Sequence, residues 1–139
     1  MQWISRKDFL QQAGMGAALL LFPTSFGSCH KVPLSSAPAK LTVDFTLDIS
    51  AGTLAKNGGY LVQNGVIIAR TNTGAFIAVA STCTHQGSTI QFYGATNTFI
   101  CPNHGAQFNT NGAVTKGPAS TDLQKMNTTL TGTNLRVYS

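Results

Sequence analysis

The stretch CTHQGSTIQFYGATNTFICPNHG, residues 83 to 105, holds two of the chain's three cysteines and two of its three histidines. They come in two tight pairs, Cys83-Thr84-His85 and Cys101-Pro102-Asn103-His104, separated by residues 86–100. An apolar run leads into each pair: AFIAVA before Cys83 and NTFI before Cys101. Each pair then enters a glycine-containing loop, at Gly87 and at Gly105. Both pairs are therefore expected on loops at strand ends, where two loops can converge on one centre. Glycine there lets the backbone turn sharply and aim amide N–H groups at negative charge. Zinc accepts two cysteines and two histidines. Its small sites, however, usually pair Cys with Cys and His with His along the chain. Here each loop supplies one of each kind, and zinc remains the alternative to a mixed-ligand centre.

Outward from this stretch the sequence reads as strands and turns. In LTVDFTLDIS, Leu41, Val43, Phe45, Leu47 and Ile49 alternate with polar residues, as a half-buried strand requires. YLVQNGVIIAR is two apolar runs around Asn64-Gly65, a strong hairpin signal. AQFNTNGAV repeats the pattern with Asn111-Gly112 as its turn, and NTTLTGTNLRVYS closes the chain as a hairpin around Gly132-Thr133-Asn134. Phe92 and Tyr93, in the loop between the pairs, suit either core or a cover over the centre. No long 3.6-residue period follows residue 40, and no repeat of fixed length is present. The expected fold is all-β, an antiparallel β sandwich or barrel spanning residues 41–139.

Ahead of it lie two other segments. Residues 1–28 have the order of an export signal: basic Arg6-Lys7, an apolar run from Ala13 to Phe22, then Gly27 and Ser28 before Cys29. That run rises only about 15 Å as a helix, short of a hydrocarbon core of about 30 Å. A mature transmembrane span is therefore not expected. SRKDFL resembles a twin-arginine signal with Lys7 in place of the second arginine. FGSC resembles a bacterial lipobox with Phe26 where leucine is usual. These readings place the protein in the periplasm or on the outer face of a bacterial membrane, lipid-anchored through Cys29, with ordinary cleavage or a retained signal anchor as the alternatives. Residues 29–40, rich in Pro, Ser and Ala, read as a tether. His30 reads as a solvated residue rather than a ligand.

Composition narrows the function. The net charge is +5 and only 9% of residues are charged. Beyond residue 28, seven basic residues face three acidic ones, and the excess is scattered. With no basic stripe interleaved with aromatics, nucleic acid is not an expected partner. The excess suits plain solubility or an acidic redox partner.

C-x-H followed by C-x-x-H at this spacing resembles the Rieske family, in which two Cys bind one iron of a 2Fe–2S cluster and two His bind the other. The resemblance runs from about Ala75 to Leu123, with Gly117-Pro118-Ala119 as the family's third loop beside the cluster. It implies one 2Fe–2S cluster held by Cys83, His85, Cys101 and His104. With only two thiolates the oxidised cluster is neutral and reduction leaves a single negative charge, which is why imidazole ligation raises the potential. The resemblance also places the His85 and His104 rings at the surface as the electron exit, coupled to proton loss. It further suggests iron–sulfur subunits of cytochrome bc-type complexes and Rieske-type ferredoxins.

The departures matter as much. High-potential subunits of the family join an extra cysteine in each loop as a disulfide; Ser88 and Asn103 stand there instead. The same subunits place a Ser and a Tyr that donate to cluster sulfur; here Ala106 and Phe108 cannot donate. The implied potential lies in the lower part of the roughly −150 to +300 mV Rieske range. A self-contained oxygenase would need two more histidines and a carboxylate, and only His30 remains. The chain is thus expected to transfer one electron at a time between unidentified partner proteins, as a tethered carrier and not an enzyme alone. The alternative is an iron–sulfur subunit of a larger quinol-oxidising or oxidase complex.

Overall fold

Asn64 and Gly65 reverse the chain in two residues, both with positive φ (52° and 75°), the left-handed pair a tight hairpin needs. The computed structural model describes residues 39–139. The export signal (1–28), Cys29, His30 and the tether up to residue 38 lie outside the described residues. The hairpin joins strands β2 (Tyr60–Gln63) and β3 (Val66–Arg70). β1 (Asp44–Asp48) precedes them, and β4 (Phe76–Ala80) pairs with β3 from the other side. The chain ends in β9 (Lys125–Thr131) and β10 (Asn134–Tyr138). Together these form one antiparallel sheet in the order β1-β10-β9-β4-β3-β2.

The β3 run Val66, Ile67, Ile68, Ala69 is buried throughout, with no polar face. Val66 and Ile68 belong to one core, with Leu54, Met126, Leu135 and Val137. Ile67 and Ala69 belong to a second, with Ile90, Phe92, Phe99 and Phe108. A strand buried on both faces loses period-2 alternation, which explains the continuous apolar run. β1 is half-buried, its pattern alternating as the sequence indicates.

The second core lies under a smaller sheet of four short strands: β5 (Gln91–Tyr93), β6 (Thr98–Ile100), β7 (Gln107–Phe108) and β8 (Val114–Lys116), in that order. We call this sheet and its loops the ligand lobe and the rest the base. The stretch containing Phe92 and Tyr93 is thus a strand, with Phe92 buried and Tyr93 exposed. Three residues are too few to announce themselves by alternation. At the C-terminal hairpin the turn is Gly132-Thr133 alone, because Asn134 already pairs with Thr131. The Asn111-Gly112 turn is wider than a two-residue hairpin. The Asn109 side chain accepts from the N–H groups of Asn111 and Ala113, and β7–β8 pairing is irregular as a result.

Base and ligand lobe are pinned together where the β5–β6 turn meets the 57–58 turn and the β3–β4 turn. The Asn97 amide donates to Asn72 Oδ1 at 2.7 Å, and the Asn72 N–H donates to Asn97 Oδ1 at 2.9 Å. Beside this pair the Gly94 and Gly58 backbones touch; a Cβ on Gly94 would stand 2.3 Å from Gly58 Cα and 2.9 Å from Gly58 O. Both obstacles are backbone and cannot rotate away. Gly94→Ala therefore separates the lobes and costs about 2–3 kcal/mol, at the upper end of overpacking penalties. Urea unfolding checks this: a lowered midpoint at unchanged slope is expected, and an unchanged midpoint would show that the contact is not needed.

Candidate functional site

Cys83 follows β4 and Cys101 follows β6, and the loops they open are built alike. Cys83 N–H donates to Ser88 O at 2.8 Å, and Gly87 N–H donates back to Cys83 O at 2.8 Å. Cys101 N–H donates to Ala106 O at 2.8 Å, and Gly105 N–H returns to Cys101 O at 2.9 Å. The flanks match too, with Thr82 opposite Thr89 and Ile100 opposite Gln107. Both loops are hairpin ends closed in one pattern, with left-handed glycines four residues past each cysteine (φ 76° at Gly87, 72° at Gly105). The sequence signal was there in CTHQG and CPNHG, where Cys and Gly share a spacing although the histidines do not.

Closing the loops this way satisfies the cysteine backbones and leaves further N–H groups facing the sulfurs. Both thiols are buried and free. Burial pushes the Cys83 thiol up, and contacts from the His85 and Gln86 amides only partly offset it. Burial acts to raise Cys101 as well, yet its thiol ends below the ordinary value. The neighbouring Cys83 side chain, the Asn103 and His104 amides and the Ser88 side chain all act to lower it. The two sulfurs are neighbours, and the donors around them outweigh burial at Cys101 but not at Cys83. In the sequence Ser88 signals only the absence of an extra cysteine; in the fold this side chain of the first loop acts on the sulfur of the second.

The two histidines also meet. Their ring centroids lie 5.0 Å apart at an interplanar angle of 83°. His85 is half-buried, and its Nδ1 is buried with no hydrogen-bond partner. An orphaned buried ring nitrogen costs free energy unless something binds it. His104, one position later in its loop, is exposed. All four residues flagged in the sequence thus converge at the loop end of the ligand lobe. Among the described residues no three His, Cys, Asp or Glu side chains gather around a single point; the arrangement is a sulfur pair and an imidazole pair. Such a donor set fits a group with two metal centres, and Cys83, Cys101, His85 and His104 are the residues that could hold it.

Around them the scaffold is firm. The Thr84 hydroxyl donates to Thr121 O at 2.6 Å, tying the first loop to the segment after Gly117-Pro118-Ala119. Ala119, Ala106 and Phe108 are buried in the same core as the two cysteines. Behind the first loop lies a cavity of about 590 Å³ lined by Ala39, Leu41, Gly65, Thr82, Cys83 and others. Leu41 is held by paired bonds to the Gln124 side chain, both 2.7 Å. The chain therefore joins the domain beside the first loop.

Comparison with known proteins agrees with this geometry. Residues 39–127 match the family described as the Rieske [2Fe-2S] domain. A cytochrome b6-f complex iron-sulfur subunit from Synechococcus sp. (strain JA-2-3B'a(2-13)) is 30% identical over 89% of this chain and 66% of its own length. The chloroplastic subunit of Pisum sativum is 41% identical, over 42% of this chain and 25% of its own. The chain thus spans only part of these curated relatives. Among solved structures, the cyanobacterial plasma membrane Rieske protein PetC3 from Synechocystis PCC 6803 aligns with TM-score 0.57 and 35% identity, covering 68% of this chain and 99% of that one. The ferredoxin of carbazole 1,9a-dioxygenase from Nocardioides aromaticivorans IC177 shares the fold at TM-score 0.54 and 21% identity, over 67% of this chain and 96% of its own.

Proposed function

The chain belongs to the Rieske [2Fe-2S] domain family, whose cofactor is one 2Fe–2S cluster, and from that premise we propose that Cys83, His85, Cys101 and His104 hold the cluster for one-electron transfer. The observation that carries the assignment is the meeting of two like-built loops: buried sulfurs side by side, imidazoles 5.0 Å apart, and an unpartnered Nδ1 on His85. When bound, the cluster supplies a single reversible electron at modest potential. The protein's own residues do the rest. Closed backbone loops fix the four donors, amide N–H groups and Ser88 face the sulfurs, and the Phe99–Phe108 core keeps water from their inner side. The exposed His104 ring is the edge nearest a partner. In the dithionite-reduced protein the electron paramagnetic resonance signal of a nitrogen-ligated 2Fe–2S centre is expected, and Cys101→Ser abolishes it with the visible colour. A colourless protein carrying one zinc would end this reading.

Ala106 and Phe108, both fully buried, bring no hydroxyl toward the sulfurs. The reduced state then lacks two stabilising donors, and the potential falls in the lower part of the roughly −150 to +300 mV range. Ala106→Ser restores one donor and raises the midpoint by tens of millivolts, taking a charge-assisted bond as about 1–2 kcal/mol. Redox titration of both proteins checks this; a native midpoint near the upper limit contradicts it.

We read the protein as an exported carrier tethered through residues 29–40, with Cys29 lipidated. The signal-like first 28 residues support this, as does the plasma-membrane Rieske protein among its relatives. No helix among the described residues is long and apolar enough to cross a membrane. Mass spectrometry of the membrane-extracted protein tests the anchor: a chain that begins at Cys29 and carries acyl groups there is expected, and an unmodified Cys29 rules lipidation out. The names of the relatives favour a second reading, a subunit of a larger complex. Such a subunit remains with its assembly through mild detergent, whereas a carrier elutes alone.

A further inference from the structure

Three Asn-Gly pairs occur in the chain: Asn57-Gly58, Asn64-Gly65 and Asn111-Gly112. In such a pair the glycine nitrogen can attack the asparagine side-chain carbonyl carbon. The new N–C bond closes a five-membered succinimide, the bond to the side-chain nitrogen breaks, and ammonia leaves with the proton the glycine nitrogen gives up. Water then opens the ring to aspartate or isoaspartate. Glycine favours the attack because no Cβ shields its nitrogen. The dipeptide is the same at all three places, so the fold decides which of them reacts. Two are tied down. Gly58 N–H donates to Arg70 O at 2.8 Å, and the Asn57 side-chain amide donates to Asn72 O at 3.1 Å. Gly112 is buried, its N–H donates to Asn109 O at 2.9 Å, and Asn111 Oδ1 accepts from Lys125 Nζ at 2.7 Å. At both places the attacking nitrogen and the target amide are engaged.

Asn64 and Gly65 are both exposed. Among the described residues nothing accepts from Gly65 N–H, donates to Asn64 O or bonds the Asn64 side chain. The peptide unit between them is therefore free to rotate. Both residues have positive φ, and flipping that one unit converts the turn to the other tight hairpin form. The flip takes Asn64 ψ to about −120° and Gly65 φ to about −80°, which glycine accepts as readily as its mirror image. Gly65 nitrogen then faces the Asn64 side chain, as ring closure requires. Neither the Gln63–Val66 pair nor the bond from Ser81 N–H to Gly65 O at 2.8 Å belongs to the flipped unit, so the strands stay paired. We propose that Asn64 is a modification site at which the folded protein deamidates spontaneously, ahead of Asn57 and Asn111. The reaction consumes only water and does not depend on the cluster assignment. It puts a negative charge on the turn whose Gly65 lines the cavity behind the first loop. The isoaspartate product also adds a backbone methylene that a two-residue turn does not hold.

The test incubates the full chain at mildly alkaline pH, folded and in urea, and follows each asparagine by peptide mapping with fragmentation. Each conversion adds about one mass unit. A hydrogen bond that must open first slows ring closure by about fivefold. In the folded chain Asn64 should therefore react at least about fivefold faster than Asn57 or Asn111. In urea the three rates should agree within about twofold, because the unfolded chain keeps none of these bonds. Asn64→Asp, which carries the aspartate product from the outset, should remove most of the early ammonia release of the folded chain. A folded chain in which Asn57 or Asn111 leads, or in which Asn64 stays intact, would overturn the proposal. The same lead for Asn64 in urea would overturn it too, by assigning the order to neighbouring sequence and not to the fold.

Discussion

Two buried cysteines must be presented at the end of a small sheet without stranding their own peptide groups. Each loop meets that demand internally, through the bond from the cysteine N–H to the carbonyl five residues on and the return bond from the glycine four residues on. A buried peptide group left unpaired would cost more than a typical hydrogen bond contributes. With these bonds closed, the His85, Gln86, Asn103 and His104 amides face the sulfurs and act against the effect of burial. The same closure holds the loops without a disulfide. Cysteines at positions 88 and 103 would have replaced a donor on one side and left the backbone bonds unchanged.

The equivalence of the loops explains why the histidines differ. His85 is two residues past its cysteine and His104 three, so the rings leave matching frames at different points and meet nearly at right angles. One ring is half-buried with an unpartnered nitrogen and the other reaches the surface. C-x-H and C-x-x-H thus set one ring half-buried and one exposed on a common turn.

Much of this was legible in the sequence, for identifiable reasons. Cys83, His85, Cys101 and His104 stood out because soft ligands are scarce in this chain. The hairpins stood out because Asn64-Gly65 and Gly132 mark turns whose φ values few other residues adopt. β5 was not legible: with three residues, one of them buried, it has no period to detect. Ser88 escaped because its role depends on a contact between loops, which a linear reading cannot see.

How the two lobes join bears on how a partner is reached. Gly94 lies against Gly58 with no room for a side chain, and Asn72 and Asn97 exchange two bonds across the same seam. Thr84 ties the first loop to Thr121, and β4, paired with β9 in the base, ends three residues before Cys83. A hinge needs a few residues free to change φ and ψ, and this seam offers none: its groups are backbone in contact or amides already paired. If the ligand lobe travels between a donor and an acceptor, the base must travel with it. The needed reach then falls to the residues ahead of Leu41, where the proposed tether begins.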